Sequence, residues 1–306
     1  MRSIIRLPTV LQRHLDSTIS ALLLNAEQSP TIDFSRPLRE EALVGPDSIS
    51  WRVFKNPIAL FVGGVAAVIL ELAEPAVRAG VWEHSAFRKD PLGRLRRTGL
   101  AALVTVYAAR SVAEPMIAAV VRKHAAVDGE TAAGLRYSAN DPRLLGWVHV
   151  TAVFSFAEAY NRYVESLSPA EFDALYREGV PASRLYGALD APQTAAAAQR
   201  LFESMRGRLD PSPVVFEFLQ IMRETHALPR PLLWLQPVLV RAAVELVPEW
   251  TRRLLGLTEV YGLRPREKWL VKFAGDFSNR IVPLESPATQ SCLRLGLPAT
   301  HLYEAA

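Results

Sequence analysis

The sequence predicts an all-α fold, and three observations lead to that prediction. Alanine, leucine, arginine and glutamate, which favour helices, are abundant. Sustained alternation of apolar and polar residues is nearly absent, as are the Asn-Gly and Asp-Gly turns of β-hairpins. Proline repeatedly follows a helix-capping residue, as in Asn56-Pro57, Asp90-Pro91, Asp141-Pro142, Ser168-Pro169, Asp210-Pro211 and, more weakly, Glu114-Pro115.

These dipeptides divide the chain into predicted helices. An amphipathic stretch from Val10 to Leu24 comes first, and a loop with Pro30 and Pro37 follows it. The later helices are predicted at residues 57–80, 91–110, 115–127, 142–165, 169–178, 192–208, 212–226, 230–245 and 247–256. Gly129 and Gly179 are expected to end helices, because glycine readily adopts the left-handed conformation of a C-terminal cap.

Composition and charge limit the class of protein. Hydrophobic residues make up 50% of the 306, and the mean hydropathy is +0.10, which predicts a large core or an apolar patch for a hydrophobic ligand or partner. The net charge of +4 is too small to indicate nucleic-acid binding. The single cysteine, Cys292, excludes a disulfide framework or an iron–sulfur cluster within one chain.

Two segments bear on location and on domain organisation. The first 24 residues carry several arginines and no small-residue cleavage site, so a cytoplasmic protein is expected. The apolar run from Ile58 to Leu70 is shorter than the roughly 20 residues of a membrane span and predicts a buried helix. The sequence leaves two questions open: whether the protein contacts a membrane surface peripherally and whether it forms a homo-oligomer. Nothing demands a second domain, so residues 1–306 are predicted to form one.

Motifs of several familiar enzyme classes are missing. None of the six histidines has a glutamate three positions before it, and no His-Glu-x-x-His pattern occurs, which argues against carboxylate-bridged di-iron and zinc sites. The chain also lacks a phosphate-binding glycine loop, a dinucleotide fingerprint and a Gly-x-Ser-x-Gly elbow. Nucleotide-dependent and hydrolase chemistry therefore have no support.

His124 lies on an apolar face of its predicted helix, together with Ile117, Val120, Val121 and Val127. A neutral imidazole in an apolar layer suits haem iron, because the macrocycle is flat and its iron accepts a nitrogen ligand. The alternative is a core histidine bonded to a backbone carbonyl. From the residues alone, that ordinary explanation is the more common one.

Arg94, Arg97 and Thr98 lie in the first turns of the helix predicted after Pro91. Arg94 and Thr98 share a face that continues through the small residues Ala101, Ala102, Thr105 and Ala108. Small side chains allow a planar group to approach, and a guanidinium and a hydroxyl can donate hydrogen bonds to dioxygen, a peroxide or a propionate. The alternative is a solvated basic helix start, where the helix dipole disfavours cations and an acidic partner is expected.

Two further candidate sites, His149 and the pair Glu83 and His84, also have ordinary structural explanations. His149 belongs to a helical stripe of Leu145, His149, Ala152, Phe156, Tyr160 and Tyr163. Such a stripe is usually core, and the other interpretation of His149 is a group on the distal side of a cofactor. Glu83 and His84 form either an acid–base pair or part of a surface loop.

A series of short segments resembles the catalytic domain shared by MpaB-type oxygenases and the latex-clearing proteins, or rubber oxygenases. The matching segments are Leu70–Val77, Gly80–Ser85, Asp90–Thr98, Val121–Gly129, Tyr137–Pro142 and Trp147–His149. They occur in the expected order over residues 45–165. Residues 166–306 resemble the family only in being helical. The predicted domain therefore has an oxygenase-like core at 45–165 and a C-terminal helical part at 166–306.

The resemblance implies a globin-like helical bundle around haem b, with additional C-terminal helices. It makes His124 similar to the proximal iron ligand and places Arg94 and Thr98 on the distal side, with Arg97 where latex-clearing members tend to have lysine. It implies oxidative attack by dioxygen or peroxide on an unsaturated or otherwise apolar small molecule. A haem-binding sensor or carrier without turnover, a haem-free helical binding protein and, remotely, a Cys292 thiolate ligand are the alternatives.

The chain departs from the family pattern in three respects. Glu74-Pro75 stands where many relatives have His-Pro, so any role of that histidine is absent or altered. No export signal precedes the domain, which favours an intracellular apolar molecule over polyisoprene. The family's distal acidic group has no secure counterpart, and Glu83 is the candidate.

Overall fold

Helices dominate the computed structural model, which describes residues 4–24 and 32–304. The segment around Pro30, where a loop is predicted, lies outside the described residues. The helices are α1 (Thr9–Leu24), α2 (Ile49–Phe54), α3 (Pro57–Leu72), α4 (Pro75–His84), α5 (Pro91–Tyr107), α6 (Arg110–His124), α7 (Pro142–Tyr163), α8 (Pro169–Tyr186), α9 (Ala195–Met205), α10 (Pro213–Glu224), α11 (Gln236–Leu246), α12 (Glu249–Leu254), α13 (Pro265–Asn279), α14 (Pro287–Arg294) and α15 (His301–Glu304).

The remaining regular structure is small. Two 3₁₀ turns, Arg230–Leu235 and Glu259–Tyr261, precede α11 and α13. An antiparallel pair of strands, β1 (Asp128–Glu130) and β2 (Arg136–Ser138), connects α6 to α7. Because the chain is 66% helical, the all-α prediction is confirmed, whereas the globin-like arrangement stays a prediction.

Four of the six predicted capping residues begin helices as expected. The side chains of Asn56, Asp90, Asp141 and Ser168 accept hydrogen bonds from the first backbone N–H groups of α3, α5, α7 and α8. The prediction at Asp210 is wrong by two residues, because Ser212 caps α10 instead. The prediction at Glu114-Pro115 is also wrong. Helix α6 begins at Arg110 and retains Pro115, which costs it a single backbone hydrogen bond.

The helix predicted at 57–80 is two helices, α3 and α4, which meet at an angle of 111°. Glu74 begins α4, because its carboxylate accepts a 2.8 Å hydrogen bond from the Val77 N–H, and Pro75 has no N–H to continue α3. Glu74 is buried, and its other oxygen accepts a 3.2 Å hydrogen bond from Arg143. In the described part of the chain, no single helix has the length and hydropathy of a membrane span, although α3 and α4 reach them when taken together.

Both predicted glycine caps are wrong. Gly179 lies inside α8, which continues through Pro181 and ends at Gly187, where φ is 96°. Gly129 lies in β1, opposite Tyr137. The prediction also misses α13 to α15, although Ser286-Pro287 carries the same start signal as the helices that were found.

The centre of the core is the contact between α3 and α7. A Cβ atom on Gly63 would lie 2.6 Å from Cδ1 and 2.9 Å from Cα of Phe156, so only glycine permits this approach. One apolar cluster joins residues from Val53 to Val271, and α11 and α13 pack on α3. Helices from both predicted parts, 45–165 and 166–306, therefore share a core, while the extent of the domain over 1–306 stays a prediction.

A second apolar cluster lies around α5 and α14. Arg294 is buried there and donates hydrogen bonds of 2.8–2.9 Å to the carbonyl oxygens of Phe34, Glu40 and Tyr107. Burial lowers the pKa of Arg294, and the nearby Glu40 carboxylate opposes that shift. These bonds hold α14 and the segment before α2 against the C-terminal end of α5.

The α3–α7 contact predicts opposite effects for two adjacent glycines. Gly63→Ala places its methyl group against the Phe156 backbone and should lower the free energy of unfolding by about 1–3 kcal/mol. Gly64→Ala meets nothing within 4 Å and should raise it by up to about 1 kcal/mol, because alanine is the better helix former. Urea denaturation of the two variants tests this difference. Equal stabilities would show that the two helices do not approach so closely.

Candidate functional site

Arg94 comes within electrostatic range of two ionisable side chains from other helices, Glu71 and His124. Glu71 lies in the last turn of α3, Arg94 in the first turn of α5, and His124 is the last residue of α6. The positive charge of Arg94 acts on the pKa of both Glu71 and His124. The loops after α3 and α5 thus bring helix ends together that are far apart in the sequence.

Glu71 is the member of this group that the sequence analysis missed. Burial raises the pKa of the Glu71 carboxyl to about 7, and Arg94 opposes that rise. No ion pair joins the two side chains within 4 Å in the described structure. One feature of the sequence could have identified Glu71, since it is a lone carboxylate directly after the apolar run Ile58–Leu70. Glu83, the candidate from the sequence, is exposed at the end of α4.

His124 is half-buried, and its Nδ1 atom is buried without a hydrogen-bond partner among the described residues. Burial lowers the pKa of the imidazole, and Arg94 lowers it further. The ring is therefore neutral at neutral pH and keeps a nitrogen lone pair. The alternative of a core histidine bonded through Nδ1 to a carbonyl finds no such bond in this part of the structure.

The small-residue face of α5 is incompletely covered. Arg94 is half-buried, Thr98 is exposed, and Ala101, Ala102 and Thr105 are half-buried, so the helix is fully packed only near its end. Burial lowers the pKa of Arg94, which Glu71 opposes. The small side chains of this face are thus partly accessible beside a guanidinium and a hydroxyl.

Arg97 occupies a different position from Arg94. Its guanidinium lies 3.3 Å from the carboxylate of Asp90, the residue that caps α5. The expected acidic partners are thus present, Asp90 for Arg97 and Glu71 for Arg94. The ion pair between Arg97 and Asp90 is largely solvent-exposed. Arg97 therefore affects the candidate site mainly through its charge, which lowers the pKa of Arg94.

His149 has no resolved electrostatic interaction with Glu71, Arg94 or His124. Its ring packs on Gly179 of α8, where a Cβ atom would lie 2.9 Å from Cε1 and 3.2 Å from Nε2. Burial alone lowers its pKa to about 4, with no contribution from Arg94. The Nε2 atom is buried and has no hydrogen-bond partner in the described structure. Gly179 therefore makes room for this imidazole and does not end a helix.

Cys292 is fully buried, and burial raises the pKa of its thiol to about 11. A protonated thiol is a poor metal ligand. Among the described residues, no three His, Cys, Asp or Glu side chains cluster as ligands for a metal ion. Haem needs only one protein ligand, so that observation leaves the prediction for His124 untested.

The residues around His124 fit a haem group. The unpartnered imidazole nitrogen is a suitable donor for iron, and the valines beside it with the small side chains of α5 suit an apolar macrocycle. Among the described residues, no carboxylate forms an ion pair with Arg94, whose guanidinium is therefore available for an anionic propionate or oxygen ligand. Glu71, with a pKa of about 7, can hold or release a proton at neutral pH.

Glu71 predicts a specific dependence of stability on pH. A carboxyl group whose pKa is higher in the folded state binds more protons when folded, so the protein should lose stability as the pH rises from about 4.5 to about 7. Glu71→Gln should remove this loss. The measurement is the free energy of unfolding against pH for the haem-free protein, with the exposed Glu83→Gln as control.

His149 titrates in the same range with the opposite sign, because its folded pKa is lowered and its stabilisation is lost as the pH falls below about 6.5. His149 is present in the wild-type protein and in both glutamine variants. Its contribution therefore cancels when their free energies of unfolding are compared. A wild-type slope equal to that of Glu71→Gln would place Glu71 in an ordinary solvated environment.

Comparison with known families supplies an independent result. Residues 51–278 match the model of the family described as ER-bound oxygenase mpaB/B'/Rubber oxygenase, catalytic domain. The match extends past residue 165, so the expectation that 166–306 resemble the family only in being helical is wrong. Comparisons with curated proteins and with solved structures gave no match. Since the matched region spans most of the chain and contains Glu71, Arg94 and His124, the protein belongs to the MpaB/rubber oxygenase catalytic-domain family.

Proposed function

We propose that the protein is a haem b-dependent oxygenase of an apolar small molecule, with His124 as the iron ligand. The observation that carries the proposal is that Arg94, on an incompletely covered face of α5, acts electrostatically on two groups from other helices. These are the His124 imidazole, whose buried Nδ1 has no hydrogen-bond partner among the described residues, and the Glu71 carboxyl group, whose pKa is about 7. The oxygenase family supports the reaction class. Haem b, when bound, supplies the redox chemistry that activates dioxygen or peroxide.

His124 holds the cofactor through a ring nitrogen, and its lowered pKa keeps that nitrogen unprotonated. Arg94 keeps a positive charge and donates hydrogen bonds to an anionic oxygen, while the Thr98 hydroxyl donates from the next turn of the same helix face. Glu71 is near enough to Arg94 for their charges to interact, and its carboxyl oxygen exchanges a proton close to neutral pH.

The lining of the site favours an apolar substrate. Val120 and Val121 of α6 are half-buried, as are Ala101 and Ala102 of α5, so these side chains are available for apolar contact. They offer no hydrogen bonds to orient a polar molecule. We therefore place the substrate among hydrophobic molecules, with an unsaturated bond as the point of oxidative attack.

An absorption spectrum of the protein expressed with a supply of haem tests the proposal first. A Soret band that shifts after reduction with dithionite and again with carbon monoxide is expected. Substrate-dependent oxygen consumption then separates an oxygenase from a haem sensor or carrier, which would bind haem without turnover. Absence of a Soret band after reconstitution would show a haem-free binding protein.

Two histidine variants distinguish the iron ligand. His124→Ala should lose at least about tenfold in haem affinity and remain folded, since removal of the only protein ligand leaves the macrocycle held by apolar contacts alone. His149→Ala should retain haem, because His149 lies apart from the Arg94 group. Haem titration followed by the Soret absorbance measures both, and circular dichroism checks the fold. The reverse order of affinities would assign the ligand to His149.

Variants around the iron ligand test catalysis. Arg94→Ala and Glu71→Gln should retain haem and lower the rate of substrate oxidation by about 100-fold or more, the scale of a lost proton donor or charge-stabilising group. Thr98→Ala should shift the spectrum of the carbon monoxide complex. Arg97→Ala, whose charge is paired with Asp90, is the matched control and should lower the rate much less. Equal losses for Arg94→Ala and Arg97→Ala would indicate an effect of net charge alone.

A further inference from the structure

Helix α13 carries three aromatic rings on its outer face. Trp269, Phe273 and Phe277 are spaced four residues apart and are 69%, 52% and 41% exposed. Their ring centroids lie 5.5 and 5.9 Å apart, and the successive planes differ by 16° and 19°. These three residues, called the aromatic stripe below, form a continuous row of apolar surface. Contiguous exposed apolar surface of this kind marks an interaction site.

The inner face of α13 is tightly fixed to the core, so the outward direction of the aromatic stripe is determined by packing. A Cβ atom on Gly275 would collide with the carbonyl oxygen of Tyr163 at the end of α7. Asn56 donates a 3.0 Å hydrogen bond to the Gly275 carbonyl. Glu267 accepts two hydrogen bonds, of 2.6 and 2.9 Å, from Arg241 of α11. The helix cannot turn its aromatic rings inward without breaking these contacts.

Basic side chains accompany the aromatic stripe. Arg266, Lys268 and Lys272 are exposed. By helical spacing, Arg266 lies on the face of the three rings and Lys272 lies beside it, next to Trp269, whereas Lys268 lies on the far flank of the helix. Lys268 lies 3.4 Å from Glu245, whereas Arg266 and Lys272 form no ion pair with the described residues. A cleft of about 290 Å³ adjoins the stripe and is lined by Arg162, Tyr163, Glu245, Lys268, Trp269 and Lys272.

We propose that α13 docks the protein on an anionic phospholipid bilayer. The aromatic stripe would lie at the boundary between headgroups and acyl chains, and Arg266 and Lys272 would contact the lipid phosphates. Aromatic rings and basic residues on one exposed helix face are the combination that binds this interface, since the rings gain by burial and the cations by attraction to the negative surface.

The basic residues near the aromatic stripe favour a bilayer over a second copy of the chain as its binding partner. A symmetric contact of the aromatic stripe with itself would bring together the same helix face of two copies, each of which carries Arg266 and Lys272. Like charges brought together at an interface are unfavourable. A negatively charged surface attracts Arg266 and Lys272, and an anionic bilayer offers both the negative charge and the apolar layer beneath it.

Vesicle flotation of the full-length protein tests the proposal. Wild-type protein should float with vesicles of phosphatidylcholine and phosphatidylserine at a 7:3 ratio and remain unbound with phosphatidylcholine alone. High salt should weaken the binding. The triple variant Trp269→Ala, Phe273→Ala, Phe277→Ala should lower the partition coefficient at least about tenfold, because it removes the apolar contact.

A second pair of variants separates charge from apolar contact. Arg266→Glu with Lys272→Glu keeps all three rings and should also lower binding about tenfold or more, as two attractive charges become repulsive. The matched control, Arg200→Glu with Arg208→Glu, makes the same change of net charge in and after α9, where both arginines are exposed. It should retain binding close to that of the wild type.

Three results would overturn the proposal. Wild-type protein that does not float with the anionic vesicles would exclude a lipid-binding face. Binding that survives both the triple aromatic variant and Arg266→Glu with Lys272→Glu would place the lipid contact elsewhere. A wild-type dimer that the triple aromatic variant converts to a monomer, measured by sedimentation, would show that a second copy covers the stripe.

Discussion

The close approach of α3 and α7 at Gly63 is the constraint on which the rest of the structure depends. With no Cβ at this position, Phe156 lies directly against the α3 backbone, and buried residues of α3 and α7 belong to the same apolar cluster. Helices α11 and α13 then pack on the outer sides of the pair. Because α3 is fixed in this way, its last turn, with Glu71, has a defined position relative to α5 and α6.

The candidate site is built from helix ends, and their dipoles affect its chemistry. Glu71 is near the negative C-terminal end of α3, and Arg94 is near the positive N-terminal end of α5. Each charge is therefore disfavoured by its own helix and stabilised by the other side chain. Burial raises the pKa of the Glu71 carboxyl, and the Arg94 charge opposes that rise. His124 is kept neutral by burial and by Arg94, although it ends a helix whose dipole favours a cation.

Helix α5 owes its incompletely covered face to being held at only one end. Tyr107 donates a 2.7 Å hydrogen bond to the carbonyl oxygen of Trp51, and Arg294 and Ser291 donate to the carbonyl oxygen of Tyr107. These bonds fix the last turn of α5, where its buried residues are found. The first turns, with Arg94 and Thr98, have no comparable cover. A rigid helix with an open small-residue face is a suitable wall for a planar cofactor.

The sequence by itself determined the helical class and most helix starts, and it singled out His124, Arg94 and Thr98 as candidates. Local signals suffice for these features, because a cap such as Asn56 or Ser168 acts within one turn and the apolar spacing around His124 is a property of one helix. The sequence did not show that Glu74 divides a long helix in two, that Gly179 makes room for His149, or that Glu71 faces Arg94. Each of these depends on contacts between residues far apart in the chain, and burial and charge at such contacts are decided only when the helices pack.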